Sequence, residues 1–160
     1  MEIGEFEAVL GRFTAAVEGE GGTALAALFS EDGIYHDVFY GPFQGRDAIA
    51  RMMDELFYEH GERYRWEMRE PVVTGDIGYA GWTFSFTSLL PDARGTRVVW
   101  EGMSRFRLRD GLIAHYGEVF DIAIALSQAN FRPDRIARIA ERHVSRLHDA
   151  YRGTPHLSGP

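Results

Sequence analysis

Apolar positions recur first at helical spacing, then at strand alternation, then at helical spacing again. In residues 5–18, Phe6, Val9, Leu10, Phe13 and Val17 fall on one helical face, with Glu5, Glu7, Arg12 and Glu18 mostly outside it. Gly19-Glu20-Gly21-Gly22 stops that helix, and Thr23 is placed to cap a short one ending near Phe29. No GK[ST] follows the glycines, so they are not a phosphate loop. Ser30-Glu31-Asp32-Gly33 reads as a turn, Ile34 to Tyr40 as a first strand, and Gly41-Pro42 as its break. A second amphipathic helix, residues 45–59, carries Ile49, Met52, Met53, Leu56 and Phe57 at three- and four-residue spacing.

From Tyr64 the pattern predicts four long strands, Tyr64–Thr74, Tyr79–Leu90, Arg97–Leu108 and Leu112–Phe120. Gly75-Asp76, Pro91-Asp92-Ala93-Arg94-Gly95 and Arg109-Asp110-Gly111 join them as hairpin turns, which makes an antiparallel meander. Strands this long coil, and the interior glycines Gly81, Gly102 and Gly117 are expected to mark bulges or sharp bends. The expected architecture is α+β: a strongly curved antiparallel sheet packed on N-terminal helices as a cone-shaped barrel, with an extra C-terminal helix. Ile122–Ala129 is a short helix, and Pro133 opens the last one. Its expected buried stripe is Ile136, Ile139, Ala140, Val144, Leu147 and Tyr151. With no repeat and no linker, residues 1–152 read as one domain and 153–160 as a flexible tail.

The 160 residues are 45% hydrophobic and 13% aromatic, enough to bury a core without metals or disulfides. There is no Cys and no Lys. A thiol nucleophile, a Cys zinc site and Schiff-base chemistry are therefore excluded. The net charge of -7 argues against nucleic-acid binding. No apolar run approaches the ~18 residues of a membrane span, and no signal-peptide pattern opens the chain, so a cytoplasmic protein with no membrane partner is expected. Arg132, Arg135, Arg138, Arg142 and Arg146 read as a solvated helix face, offset by Asp134, Glu141 and Asp149. His143 and His148 are too far round the helix to share a metal, and no HExxH motif exists, so no metal and no cofactor are expected.

The chemistry concentrates in "HYGEVFD", residues 115–121. On an alternating strand Glu118 shares a face with Ala114, Tyr116 and Phe120, leaving His115 and Val119 on the other. A carboxyl on that apolar face has its pKa raised by desolvation, which suits a general acid or base. The alternative is a rim carboxylate or an ion pair with Arg105 or Arg107. Asp121 stands directly before a helix, where it serves as N-cap. On the first strand His36 shares a face with Ile34, Val38 and Tyr40, and Asp37 points the other way. Trp66, Trp82 and Trp100 occur once on each of three strands and suggest a flat or greasy ligand. Tyr40, Tyr79 and Tyr116 are candidate hydroxyl donors.

Three segments carry a resemblance. "LFSEDGIYHDVFYGPFQGRDAI" (28–49), "FRLRDGLIAHYGEVFD" (106–121) and "IALSQANF" (124–131) look like the nuclear-transport-factor-2-like superfamily. That group includes SnoaL-like polyketide cyclases, limonene epoxide hydrolases, ketosteroid isomerases and phenazine-biosynthesis A/B proteins. By resemblance Glu118 takes the place of the acidic residue acting in the pocket of the hydrolases and phenazine proteins. Counting back from Gly45 without gaps, His36 takes the place of the isomerase base. Phe13 stands where the isomerase has its oxyanion tyrosine, and Met103 near its second oxyanion donor, so classical steroid isomerisation is not expected. "YAGWTFSF" (79–86) lacks the Arg–Asp pair of the epoxide hydrolases. The resemblance implies a cofactor-independent acid–base enzyme acting on a small apolar or aromatic molecule: an isomerase, dehydratase, cyclase or hydrolase. Glu118 and His36 are its expected catalytic pair, and Tyr116, Tyr40, Trp82, Phe13 and Trp100 its ligand-binding residues. The alternative is a non-catalytic ligand-binding or dimerisation module of the same fold. A homodimer pairing the outer sheet faces is expected.

Overall fold

Phe6, Val9, Leu10 and Phe13 are all buried, so the first amphipathic stripe fixes how the N-terminal helix meets the sheet. In the computed structural model, which describes residues 1–158, this is α1, Ile3–Ala15. It runs on through a widened turn at Ala16–Glu20 that buries Ala16 and Val17. α2 spans Gly22–Ala27. Thr23 lies inside α2 rather than capping it; the carboxylate of Asp54 accepts the Gly22 N–H at 2.8 Å. The cap comes from the second amphipathic helix, folded alongside: α3 (Arg46–Arg51), a widened turn at Met52–Phe57, and α4 (Tyr58–His60).

β1 is Phe29–Asp37 and β2 is Gly41–Gln44. The expected turn at Ser30–Gly33 is a register break inside β1. Phe29 pairs with Ile113, and pairing resumes only at Ile34 with His115. Gly41 does not end the strand pattern; it opens β2, which folds back antiparallel on β1. β3 (Gly61–Thr74), β4 (Ile77–Ser88), β5 (Arg97–Arg109) and β6 (Leu112–Phe120) form the expected meander. The sheet order is β2-β1-β6-β5-β4-β3. β1 lies parallel to β6, the one parallel neighbour pair in this sheet. Curvature brings the sheet around α1 and α3 without closing it: β2 and β3 remain edges, so the cone is open rather than a barrel.

The register breaks lie beside other residues than Gly102 and Gly117, while Gly81 pairs with Arg69 at the edge of one of them. β3 breaks register between Glu62 and Arg65 and between Arg69 and Val72, where Arg63 and Glu70 adopt positive φ of 53° and 50°. β6 breaks register at Ala114, because Leu108 pairs with Ile113 and Arg107 with His115. Hence Ile113, not Ala114, is buried on the inner face with Tyr116. Gly102 has a different task. A Cβ there would lie 2.3 Å from Cζ2 of Trp82 and 2.7 Å from the Val119 carbonyl, so its bareness lets the Trp82 ring lie across β5.

α5 (Ile122–Gln128) is capped by Asp121, which accepts the Ala123 N–H at 2.9 Å as expected. Gln128 pins it to the sheet, accepting from Val99 N at 3.0 Å and donating to Val99 O at 2.7 Å. Asn130, at φ 57°, turns the chain into α6, Pro133–Ala150, which starts with Pro133 as expected. The expected buried stripe of α6 fails. Ile139 alone is buried, while Val144, Leu147 and Tyr151 are 51%, 58% and 43% exposed. The helix meets the rest of the chain at its N-terminal half, so the second half of its apolar face finds no partner within this chain. Residues 154–158 form hydrogen-bonded turns; positions 159–160 of the expected tail lie outside the described residues. Among the described residues no helix is long and apolar enough to cross a membrane.

Candidate functional site

The inner faces of β3, β4 and β5 present Trp66, Trp82, Phe84, Phe86 and Trp100 to one cavity of about 110 Å³. Leu56, Phe57 and His60 close it from the α3–α4 side, Phe39 and Tyr40 from the β1–β2 turn. The rings lock one another edge to face: Trp66 lies 4.9 Å from Phe84 and 5.6 Å from Trp82, Trp100 4.9 Å from Phe84. Such contacts make a rigid apolar wall. Two carboxyls interrupt it, Glu118 and Asp37.

Glu118 is held from behind. Tyr116, two residues earlier and on the same face of β6, donates its hydroxyl to Glu118 Oε2 at 2.6 Å. Ser104 Oγ lies 2.9 Å from Tyr116 Oη, and Trp82 Nε1 donates to Ser104 Oγ at 2.8 Å. Because Tyr116 spends its proton on Glu118 and Ser104 receives one from Trp82, Ser104 must donate to Tyr116. The four side chains form a directed chain that ends on the carboxyl. Ser104 and Tyr116 are fully buried, so the chain has no competition from water. Burial pushes the Glu118 carboxyl up from 4.5 to about 8, the negative charge of Asp37 adds to the rise, and the Tyr116 hydrogen bond partly opposes it.

Asp37 is the buried end of β1. Its Oδ1 accepts Phe39 N at 2.7 Å and Tyr40 N at 2.8 Å, which shapes the β1–β2 turn. Burial raises its pKa, and those two N–H bonds hold it down by favouring the ionised form. Burial raises both carboxyls, but two backbone N–H bonds favour the ionised form of Asp37 where a single hydroxyl favours that of Glu118. Three ring nitrogens on the cavity-lining residues Trp66, Trp100 and His60, namely Nε1, Nε1 and Nδ1, have no hydrogen-bond partner among the described residues.

The expected pair of Glu118 with His36 is not formed. His36 is exposed on the outer face of β1, its ring 6.2 Å from that of His115 on β6. The inward positions of β1 are Tyr35 and Asp37, both buried. Ile34 and Val38 are only half-buried, and their apolar character imitates an inner face. Tyr40, Trp82 and Trp100 line the cavity. Tyr116 and Phe13 lie behind its wall instead, with ring centroids 4.9 Å apart, so Tyr116 orients Glu118 rather than facing a ligand. Tyr79 is 38% exposed and away from the cavity. Met103 is 52% exposed on the outer face; the inward residue beside it is Ser104. Arg105 and Arg107 are exposed and form no ion pair with Glu118.

The model of the SnoaL-like domain matches residues 10–116. No curated protein matches the chain. Among solved structures, a protein of ketosteroid isomerase-like fold from Catenulispora acidiphila, in complex with trimethylamine, superposes with a TM-score of 0.70 at 20% identity, covering 79% of this chain and 95% of that one. TerC co-crystallised with polyporic acid gives 0.68 at 18% identity, covering 79% and 99%. A Mycobacterium tuberculosis LEH-like epoxide hydrolase gives 0.63 at 16%, covering 78% and 89%. At these identities the likeness is one of fold.

Proposed function

The chain belongs to the SnoaL-like domain family, and from that membership we propose that it is an acid–base catalyst for a small, largely apolar or aromatic molecule bound inside the cone. The observation that carries this reading is the pairing of two unlike carboxyls in one aromatic cavity, Glu118 raised to about 8 and Asp37 fixed by backbone N–H groups. Environments that push two acids apart assign their roles. Glu118 enters protonated and donates to a developing oxyanion or leaving hydroxyl; Asp37 accepts a proton or stabilises positive charge. The isomerase-like base, expected at His36, falls on Asp37 once the alignment is moved by one residue, which restores an acid at that place. Proton transfer next to a carbonyl, dehydration, cyclisation and water addition all use this pair.

The indole N–H groups of Trp66 and Trp100 are buried without a hydrogen-bond partner among the described residues, each at a cost of about 1–3 kcal/mol. Trimethylamine and polyporic acid, bound by two of the structural neighbours, are small ligands, in keeping with a pocket reading here. The outer face supports a homodimer: Val99, Met103 and Val119 are 45%, 52% and 70% exposed, and Met103 and Val119 are direct cross-strand partners.

The test is a turnover screen over hydroxyketones, epoxides and polyketide-like compounds, followed by Glu118→Gln on any substrate found. The substitution keeps size and removes the proton, and a loss of about 10²–10⁴ in kcat with ligand binding retained is expected. Undiminished turnover sinks the reading. Tight ligand binding with no turnover in either protein favours the non-catalytic binder.

A further inference from the structure

The aromatic cavity does not end at the mouth of the cone. Phe39, Tyr40, His60, Phe86 and Trp100 line it and also line a second, outer cavity of about 480 Å³. α5, the segment Leu90–Asp92 and the first half of α6 build the outer walls. Arg132, which precedes α6, and Arg135, Ile139 and Arg142 within it line this cavity. Their spacing of three, four and three places them on one side of the helix. This side is the one that α6 turns towards the cone.

The arginines of α6 are not equivalent. Arg132 and Arg138 share Asp134, with N–O distances of 3.1 and 3.0 Å. Arg135 and Arg142 have no carboxylate partner among the described residues. Arg135 instead lies 4.4 Å over the ring of Phe131, which fixes its guanidinium plane without neutralising it. One acid, Asp92, lines the same space. A chain of net charge -7 thus keeps two guanidinium groups without a carboxylate partner among the described residues in the outer cavity that adjoins its aromatic one.

The charges grade along the path. The deep end holds Asp37 and Glu118 among rings, and the outer end holds cations. An anionic group is repelled by the first and attracted by the second. Size makes the same division. The inner cavity of about 110 Å³ is smaller than the ~150 Å³ that accepts a benzene ring in an engineered apolar core. Any ligand larger than a short branched chain must extend outward past Trp100 and Tyr40.

We propose that the substrate is an amphiphilic acid, its neutral apolar end in the cone and its carboxylate or similar oxyanion held at the mouth by Arg135 and Arg142. The proposal rests on the cone being the binding site. It adds a specificity device built from α6, which lies beyond the residues 10–116 that the family model covers. Arg135, backed by Phe131, supplies a planar fork for a two-oxygen anion; Arg142, two turns further on, supplies the second charge.

The chain's three tryptophans all line the inner cavity, so their fluorescence reports its occupancy. The probes are 4-methylpentanoate, whose apolar end is a short branched chain, and its uncharged amide, titrated at low and high salt. The expected result is that the acid binds about tenfold tighter than the amide at low salt, and that high salt narrows the gap. Arg135→Gln with Arg142→Gln should abolish the difference by weakening the acid alone. Arg138→Gln, which alters an arginine off this face, should leave it intact. If acid and amide bind equally, or the preference survives the double substitution, the proposal fails while the cone remains a binding site. If neither probe changes the fluorescence, both this proposal and the binding site it rests on are overturned.

Discussion

The hydroxyl of Tyr116 lies 2.6 Å from Oε2 of Glu118, and the two side chains project from the same face of β6. The bond stabilises the charged carboxylate but does not win against burial and Asp37, which leave the group with a pKa of about 8. A carboxyl tuned this way is costly to the fold at neutral pH. Between pH 4.5 and 8 the folded chain holds this proton while the unfolded chain has released it, so rising pH favours unfolding across that window. Above pH 8 both states have lost it and the effect levels off. Full linkage sets an upper bound of about 5 kcal/mol. Glu118→Gln has no proton to lose. It should be more stable than the parent at pH 8.5 by about 1–3 kcal/mol, less than the bound because water reaches the cavity. At pH 4.5 the two should melt together. Denaturant unfolding at the two pH values checks this, and equal stability at both contradicts the raised pKa.

Tyr116→Phe removes the one hydrogen bond that favours the Glu118 carboxylate. The Glu118 midpoint should therefore move up rather than down. If Glu118 is the acid, the alkaline limb of kcat/KM shifts to higher pH in the variant. The same substitution leaves the buried Ser104 hydroxyl without its acceptor, at a cost of about 1–3 kcal/mol in stability. A pH–rate profile measured beside a melting curve separates the two effects. An alkaline limb that moves down shows that Tyr116 is not holding the charged form.

Asp37 and His36 are neighbours in sequence with opposite fates, and substitution should divide them sharply. Asp37→Asn keeps an oxygen for the Phe39 and Tyr40 N–H groups, so the turn should survive. It removes the charge that raises Glu118, so the Glu118 midpoint should fall. It also removes the proposed base, with an expected loss of about 10²-fold or more in kcat. His36→Gln changes only the outer face and should leave kcat/KM within about twofold. Steady-state kinetics across pH on the two variants decide it. A strong loss in His36→Gln alone would return the catalytic role to the histidine.

The difficulty of that position shows what the sequence could and could not reveal. Alternation located β6 and the inner face that carries Glu118, because β6 carries Tyr116, Glu118 and Phe120 in strict period two after its bulge, but it caught only the second half of β1. In β1 the same logic chose the wrong face. Its outer residue Ile34, and Val38 just beyond the strand, are half-covered and apolar, while its inner face carries Asp37. A one-residue slip turns every side chain over, and nothing local fixed the register of β1, whose pairing breaks between Phe29 and Ile34. Asp37 does carry one local signal, an Asp two and three residues ahead of the turn N–H groups it binds. The α6 stripe failed for another reason. Periodicity reports an amphipathic face, but whether anything covers it is a tertiary fact.

The outer face of β5 and β6 offers a direct test of assembly. Met103 and Val119 sit opposite one another across the two strands, both more than half exposed, with Val99 further along β5. A symmetric dimer through this face brings the same apolar patch of one protomer against that of its partner. Val119→Glu places a charge at the most exposed point of the patch and, by symmetry, places two such charges in one interface. The cost of desolvating unpaired carboxylates should convert a dimer to a monomer. Val119 is 70% exposed in the single chain, so the protomer itself should fold and melt normally apart from any contribution of assembly. Light scattering behind a sizing column should give twice the chain mass for the parent and the chain mass for the variant. A parent that is monomeric, or a variant that remains dimeric, removes this face from consideration as the interface.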